Sequence, residues 1–476
     1  MNTRDNDILK WSTKDLLQAT GGELLYGTGT ADFTGIGIDS RTISTGELYV
    51  AVIGEVHDGH RFAADVVQKG IKGLIIGGNS PVDLPHDRWR HQDITCIRVA
   101  DTIAALGRIA RWHRQRYPVK VVAITGSNGK TTTREMTGNV VGHRYRTLSS
   151  PGNFNNEIGL PLSLFRLRER HEAAVLELGM NRPGEIGRLG RICRPDIGVI
   201  TNVGPVHLEF LGSIENVARA KGELLETVRD GGTVVLNADD PYVSGLLVPE
   251  SKNRLTFGFT ETADIRAQHI EAVGNGNRFE LVMPSGTVTV HLESPGKYMI
   301  YNALAAAAAG FLLDVAPDGI QKGLEAFSPI KGRMRIIETA NGLHVIDDTY
   351  NANPVSMQAA LENLTAMRGK SRGFAVLGDM LELGKDAGGL HEELGAMAVR
   401  TGIYGIYATG DYAPAVARGA KASASGDQRI FTGTKPEITE QLVRDLSGSD
   451  WLLVKGSRGM AMETIVDSVL TWADQA

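Results

Sequence analysis

The sequence predicts an α/β protein of three domains, each built on a mostly parallel sheet. Short, almost continuous apolar runs recur along the 476 residues, at 119–125, 173–178 and 374–377 among others, and amphipathic stretches of helical period separate them. Such runs are strands buried on both faces, as in parallel sheets covered by helices. The length suits two to four domains. Breaks at Pro118 and at Ser328-Pro-Ile-Lys-Gly332 divide the chain into blocks 1–118, 119–329 and 330–476.

The first block is predicted as a small α/β domain with strands 47–53, 71–76 and 95–99 and helical patterns at 61–69 and 102–113. The second has strands 119–125, 173–178, 197–203 and 233–237. The third, with strands 343–346, 374–377, 403–409 and 451–454, reads as an open, Rossmann-like α/β sheet. In such sheets ligands sit beyond the carboxyl ends of the strands.

Composition excludes several function classes. Hydrophobic residues make up 42% and charged residues 22%, ordinary values for a soluble globular protein. The net charge of -5, with no long basic block, argues against a nucleic-acid-binding face. Cys96 and Cys193 fit neither a metal-ligand spacing nor a disulfide framework, so a reduced cytoplasm is the expected setting. The N-terminal stretch MNTRDNDILKWSTKD is polar and lacks the apolar core of a signal peptide. Residues 299–313 are apolar but too short for a membrane span; mostly alanine and carrying Asn302, they read as a buried helix.

The strongest motif is Ile124-Thr-Gly-Ser-Asn-Gly-Lys-Thr-Thr-Thr133, between an apolar strand and a helical stretch. Gly126 and Gly129 let the backbone turn tightly, so that the N–H groups of Ser127, Asn128 and their neighbours point at an anion. Lys130 can reach outer phosphates, and the Thr131 hydroxyl can sit on Mg²⁺. The usual longer pattern would place a glycine at Ile124; the shorter T-G-x-x-G-K-T form stands here, from Thr125 to Thr131, with Thr132 behind it. A plain glycine turn capped by threonines is the alternative. The strand–loop–helix context favours nucleotide binding and a central P-loop ATPase-like domain.

Three further residues invite attention. Glu177 closes an apolar strand, where a carboxylate needs a cation: either Mg²⁺ or a structural ion pair. His207 lies beyond another strand. Lys221 interrupts the apolar helical stripe Ile214, Val217, Ala218, Leu224, Leu225, Val228. It is either a snorkelling lysine or a desolvated amine of lowered pKa, which could take up CO₂ as a carbamate.

In order along the whole chain, these motifs resemble the Mur ligase family. The resemblance rests on Asp39-Ser-Arg41, Asp58-Gly-His60, the 125–133 loop, Gly152-Asn-Phe-Asn-Asn-Glu-Ile-Gly-Leu-Pro161, Glu177-Leu-Gly179, His207-Leu-Glu209, Ala220-Lys-Gly-Glu223, Tyr301-Asn-Ala303, Asp347-Asp-Thr-Tyr-Asn-Ala-Asn-Pro354, Gly378-Asp-Met-Leu-Glu-Leu-Gly384 and Lys455-Gly-Ser-Arg458. It implies an ATP-dependent amide ligase of cell-wall precursor synthesis. Lys130 and Thr131 would hold ATP phosphates and Mg²⁺, taken as two ions. Thr131, Glu177, His207 and a carbamate on Lys221 would hold the metal, with Lys130, Lys221 and His207 as catalytic groups. Asn302 would meet adenine, Arg333 the outer phosphates and Asp348 the ribose. Ser40 and Arg41, with the Asp58-Gly-His60 turn, would hold the UDP end, and Asn153, Asn155 and Asn156 the sugar-peptide.

Within the family, residues 153–161 and Tyr350-Asn-Ala-Asn-Pro354 favour addition of D-alanyl-D-alanine to UDP-N-acetylmuramoyl-tripeptide, by a monomer without a membrane span. The rivals are a relative adding diaminopimelate, lysine or glutamate, a P-loop NTPase switch, and a non-catalytic binding module.

Overall fold

The computed structural model describes residues 10–54 and 57–474. The first nine residues of the polar N-terminal stretch, and the outer ends of the first and third expected domains, lie outside that range.

Each of the three larger sheets follows from its apolar runs. In the first, the spatial order is Glu23–Tyr26, Thr95–Val99, Gly73–Gly77, Glu47–Val50, Gly35–Gly37, parallel except for the first pair. Alternate residues of a strand face opposite sides. Leu48, Val50, Ile75 and Ile97 therefore enter one apolar cluster, whereas Tyr49, Leu74, Ile76 and Cys96 enter another. The first cluster continues into Leu160, Leu164, Leu189 and Val217 of the next block, so the first two sheets share one core.

The central sheet has nine strands, ordered Gly286–Leu292, Gly276–Met283, Ile265–Val273, Asn253–Gly258, Thr233–Asn237, Ile197–Ile200, Lys120–Thr125, Ala173–Glu177, Thr147–Ser149. Seven run parallel, and 276–292 adds two strands in antiparallel pairing at one end of the sheet. The expected strands are present with slightly shorter bounds. The antiparallel extension was not expected, because its strands alternate polar and apolar residues. The apolar stretch near 299–313 is the buried helix Lys297–Leu312.

The third sheet has six strands, ordered Arg335–Glu338, His344–Asp348, Trp451–Lys455, Gly373–Leu377, Gly405–Ala408, Arg429–Thr432, parallel except for the first pair. Its two apolar clusters are built from residues 334–473.

The shared core carries a testable liability. His113, on helix Thr102–Gln115, is buried among Trp11, Tyr117 and Phe165. Among the described residues neither ring nitrogen has a hydrogen-bond partner. Burial pushes the ring down to about 3, offset only in part by a pull from the Leu167 backbone. The unfolded chain therefore binds this proton first. Stability is full above the ordinary histidine pKa near 6.5 and falls as pH drops toward about 3. Between pH 6.5 and 5 the loss is about 2 kcal/mol. Urea unfolding at the two pH values should show this loss in the wild type and a smaller one in His113→Phe; equal losses would exclude His113 as the cause.

Candidate active site

Parallel pairing brings three strand ends together. Glu177 lies in register with Ile124, and Ile200 with Thr125. The phosphate loop therefore leaves its strand between Glu177 and the Thr201-Asn202 turn. Thr125 fixes the exit by donating its hydroxyl to the Leu178 carbonyl at 2.9 Å. The Ser127 N–H donates to the Asn202 carbonyl, and the Asn128 N–H to the Asn202 side-chain oxygen, each at 2.9 Å.

Glycine is required twice here. A Cβ on Gly126 would fall 1.8 Å from Thr201 Oγ1, and one on Gly129, at φ +79°, 2.2 Å from Asn302 Oδ1. Gly129 opens helix Lys130–Gly142, whose free N–H groups face the cleft. Lys130 curls back, donating to the Gly126 carbonyl at 2.9 Å and the Ser127 carbonyl at 3.3 Å. Enclosure pushes its ammonium down from the usual lysine range, with Glu177 opposing and Arg333 reinforcing, although the side chain still borders the cleft.

Glu177 is only 2% exposed and is fully engaged. It accepts from Thr131 Oγ1 at 2.9 Å and Asn155 Nδ2 at 2.7 Å, and pairs with Arg134 at 3.5 Å. The ion-pair reading of Glu177 therefore holds, and its carboxylate also lines the cleft. Sequence reasoning missed Arg134, whose cue was a charged residue one turn behind Lys130 on the buried face of the helix.

Lys221 does not snorkel. It sits on helix Ile214–Thr227 at 2% exposure, and burial, reinforced by the charge of Lys130, pushes its amine well below the usual lysine range. Transfer of an ammonium to such a place costs several kcal/mol, which works against the charged form.

The third sheet completes the cleft. Arg333 donates to Thr131 Oγ1 at 2.9 Å and lies 4.1 Å over the Tyr350 ring. Asp348 accepts from Lys455 Nζ at 2.6 Å and from the Met334 N–H at 3.1 Å. Asn353, which caps helix Pro354–Arg368, donates to Asn128 Oδ1 at 2.7 Å. His207 Nδ1 lies 2.5 Å from Glu382 Oε2. Lys455, Tyr350, Asn353 and Glu382 sat inside motifs read from the sequence but were given no role.

These residues surround one cleft of about 910 Å³. It gathers Ser127 to Thr132, Asn155, Asn156, Glu177, His207, Asn302, Arg333 and Asp348. Asn302 also accepts from Thr133 Oγ1 at 3.2 Å, so it buttresses the loop. Ser40, Arg41, Asn153 and Lys221 do not line the cleft. The Arg41 side chain is 85% exposed and forks onto Asp39. His60 is buried, held between Asp58 at 2.6 Å and the Gly77 N–H at 2.8 Å, so it shapes its turn from inside.

Among the described residues no three His, Cys, Asp or Glu side chains converge on a metal site. The expected set supplies two such groups, Glu177 and His207, beside the Thr131 hydroxyl. Mg²⁺ fits a set that small, because it keeps waters and takes phosphate oxygens. The Arg333 guanidinium on Thr131 already places a positive charge beside this hydroxyl–carboxylate pair.

A glycine-bent loop at a helix N-terminus, completed by groups from the third sheet, defines a P-loop nucleotide-binding ligase, and the chain belongs to the Mur ligase family. Family models match at residues 32–114 (Mur ligase family, catalytic domain), 124–310 (Mur ligase middle domain) and 332–458 (Mur ligase, glutamate ligase domain). The UDP-N-acetylmuramoyl-tripeptide--D-alanyl-D-alanine ligase of Bacillus subtilis (strain 168) is 34% identical over 92% of this chain and 93% of its own. The Escherichia coli (strain K12) protein of the same name is 36% identical over 90% and 92%. A crystal structure of MurF from Acinetobacter baumannii superposes with a TM-score of 0.88 at 33% identity, covering 98% of this chain and all of that one. MurF from Thermotoga maritima, solved in complex with ADP, gives a TM-score of 0.81 at 28% identity over 92% and 98%.

Proposed function

We propose that this protein joins D-alanyl-D-alanine to UDP-N-acetylmuramoyl-tripeptide, with conversion of ATP to ADP and phosphate, in cytoplasmic synthesis of a peptidoglycan precursor. The observation that carries this reading is the convergence of the phosphate loop with polar groups of the third sheet in one cleft, in a chain similar end to end to relatives of that name. In this reading residues 119–329 bind ATP, 1–118 hold the UDP end, and 330–476 close over the nucleotide as a monomer's third domain.

A carboxylate needs activation before an amine can displace oxygen from it. The substrate carboxylate attacks the γ-phosphate of ATP, giving an acyl phosphate and ADP. The dipeptide amine then attacks the acyl carbon, the tetrahedral adduct collapses, and phosphate leaves. Lys130, the loop N–H groups and Arg333 hold the phosphates as charge develops. Asn302 and Asp348 border the nucleoside, and Asn153, Asn155 and Asn156 face the sugar-peptide, with Ser40 and Arg41 toward the uridine diphosphate. Thr131, Glu177 and His207 are the groups that would hold Mg²⁺, which neutralises phosphate charge when bound. Lys221, whose amine burial disfavours as an ammonium, would supply a further carboxylate to this set as the carbamate, formed by adding CO₂ and releasing a proton. Closure of the third sheet excludes water from the acyl phosphate.

Phosphate release tests the reading. With purified nucleotide-tripeptide, Mg²⁺ and ATP, release should require D-alanyl-D-alanine and remain near background with diaminopimelate, lysine or glutamate. Preference for a single amino acid would move the protein to another branch of the family. Release without either organic substrate would indicate an NTPase switch.

A further inference from the structure

The segment Gly378-Asp-Met-Leu-Glu-Leu-Gly384 takes no part in the chemistry above, yet it is held with unusual completeness. Asp379 accepts from the N–H groups of Asp411 at 2.7 Å and Tyr412 at 3.1 Å, and its carbonyl accepts from the Ser457 N–H at 3.0 Å. The Met380 N–H donates to the buried His391 ring at 2.9 Å, and the Leu381 N–H to Ser457 Oγ at 2.9 Å. The next residue, Glu382, lies at φ +62° with its side chain 40% exposed. Met380 and Leu383 anchor the segment in the apolar core, and these polar bonds fix the backbone between them. A non-glycine residue held in the left-handed region marks a place where structure enforces a position.

What Glu382 meets is His207, itself at φ +53°. The contact is double: His207 Nδ1 to Glu382 Oε2 at 2.5 Å, and the Glu209 N–H to the Glu382 carbonyl at 3.2 Å. An ionised carboxylate only accepts, so Nδ1 carries the hydrogen. In a neutral ring, Nε2 then keeps the lone pair, on a residue that lines the cleft.

We propose that Glu382 is a positioning residue for His207: it fixes the ring's tautomer and direction for metal binding, so that the cation site is complete only when the third sheet is docked. The proposal rests on the ligase reading above. It differs from an ordinary exposed ion pair, which contributes little, because the carboxylate is presented by a loop pinned at three consecutive residues. Carboxylates that orient a metal-binding histidine commonly alter metal affinity about 10–100-fold.

The test uses Mn²⁺ as the probe, followed by electron paramagnetic resonance on the full chain with ADP. Glu382→Ala should weaken Mn²⁺ binding about tenfold or more. Glu382→Gln, which keeps an acceptor oxygen, should restore much of it. Metal-free ADP affinity and the melting temperature should not move. In a His207→Ala background, Glu382→Ala should have no further effect, since it acts through that ring. The Mg²⁺ requirement of ligation should rise in parallel, with KM for the dipeptide unchanged. Equal Mn²⁺ affinity in the wild type and both variants, or additive effects with His207→Ala, would overturn the positioning role and leave the ligase reading intact. The expected affinity differences in a protein that showed no dipeptide-dependent phosphate release would instead overturn the ligase reading alone.

Discussion

Lys130→Ala is expected to abolish ATP-dependent ligation, lowering kcat/KM by at least about 10³-fold. In the structure the ammonium is stored within the loop, on the Gly126 and Ser127 carbonyls. Those carbonyls are weaker partners than the outer phosphates of ATP, so the side chain is free to exchange them. Without it, the transferring phosphoryl group loses a cation inside a partly dehydrated cleft, where charge is weakly screened. The backbone of the loop is held independently by Asn202 and Thr201, which bond the Ser127 and Asn128 N–H groups and the Asn128 carbonyl. The variant should therefore fold, and its melting temperature should stay close to wild type. Phosphate release with all substrates is the measurement, and full activity would remove the loop from the reaction.

Lys221→Ala should lose most activity, about 10²-fold or more, and should regain part of it with acetate or propionate. The reasoning is electrostatic. An ammonium here would be buried next to Lys130, an arrangement disfavoured by desolvation and by repulsion. A carbamate reverses the sign and turns that repulsion into attraction. A short carboxylic acid entering the space left by alanine restores the negative charge, whereas Lys221→Arg, which cannot form the carbamate, should remain inactive with the same acids. Undiminished activity in Lys221→Ala would return this residue to a packing role.

The legible parts of this protein are those whose signals are local. The strands Thr95–Val99 and Thr233–Asn237 match the expected bounds to the residue, because four of the five residues in each are buried and their apolar cores are compact. The phosphate loop was legible for the same reason: Gly126, Gly129, Lys130 and Thr131 do their work within one turn of chain. The antiparallel strands Gly276–Met283 and Gly286–Leu292 escaped, since strands that alternate polar and apolar residues dilute their apolar content.

The amino-acid order alone determined that three sheets would form, where the anion loop would lie and which side chains could meet it. Tertiary structure decided the rest. Whether Lys221 reached water depended on which face of its helix, Ile214–Thr227, the fold buried. Arg41 was placed on an exposed turn, outside the cleft, and His207 met a carboxylate 175 residues away. Desolvation and pairing depend on what the fold brings alongside a group, and sequence neighbours carry no record of that.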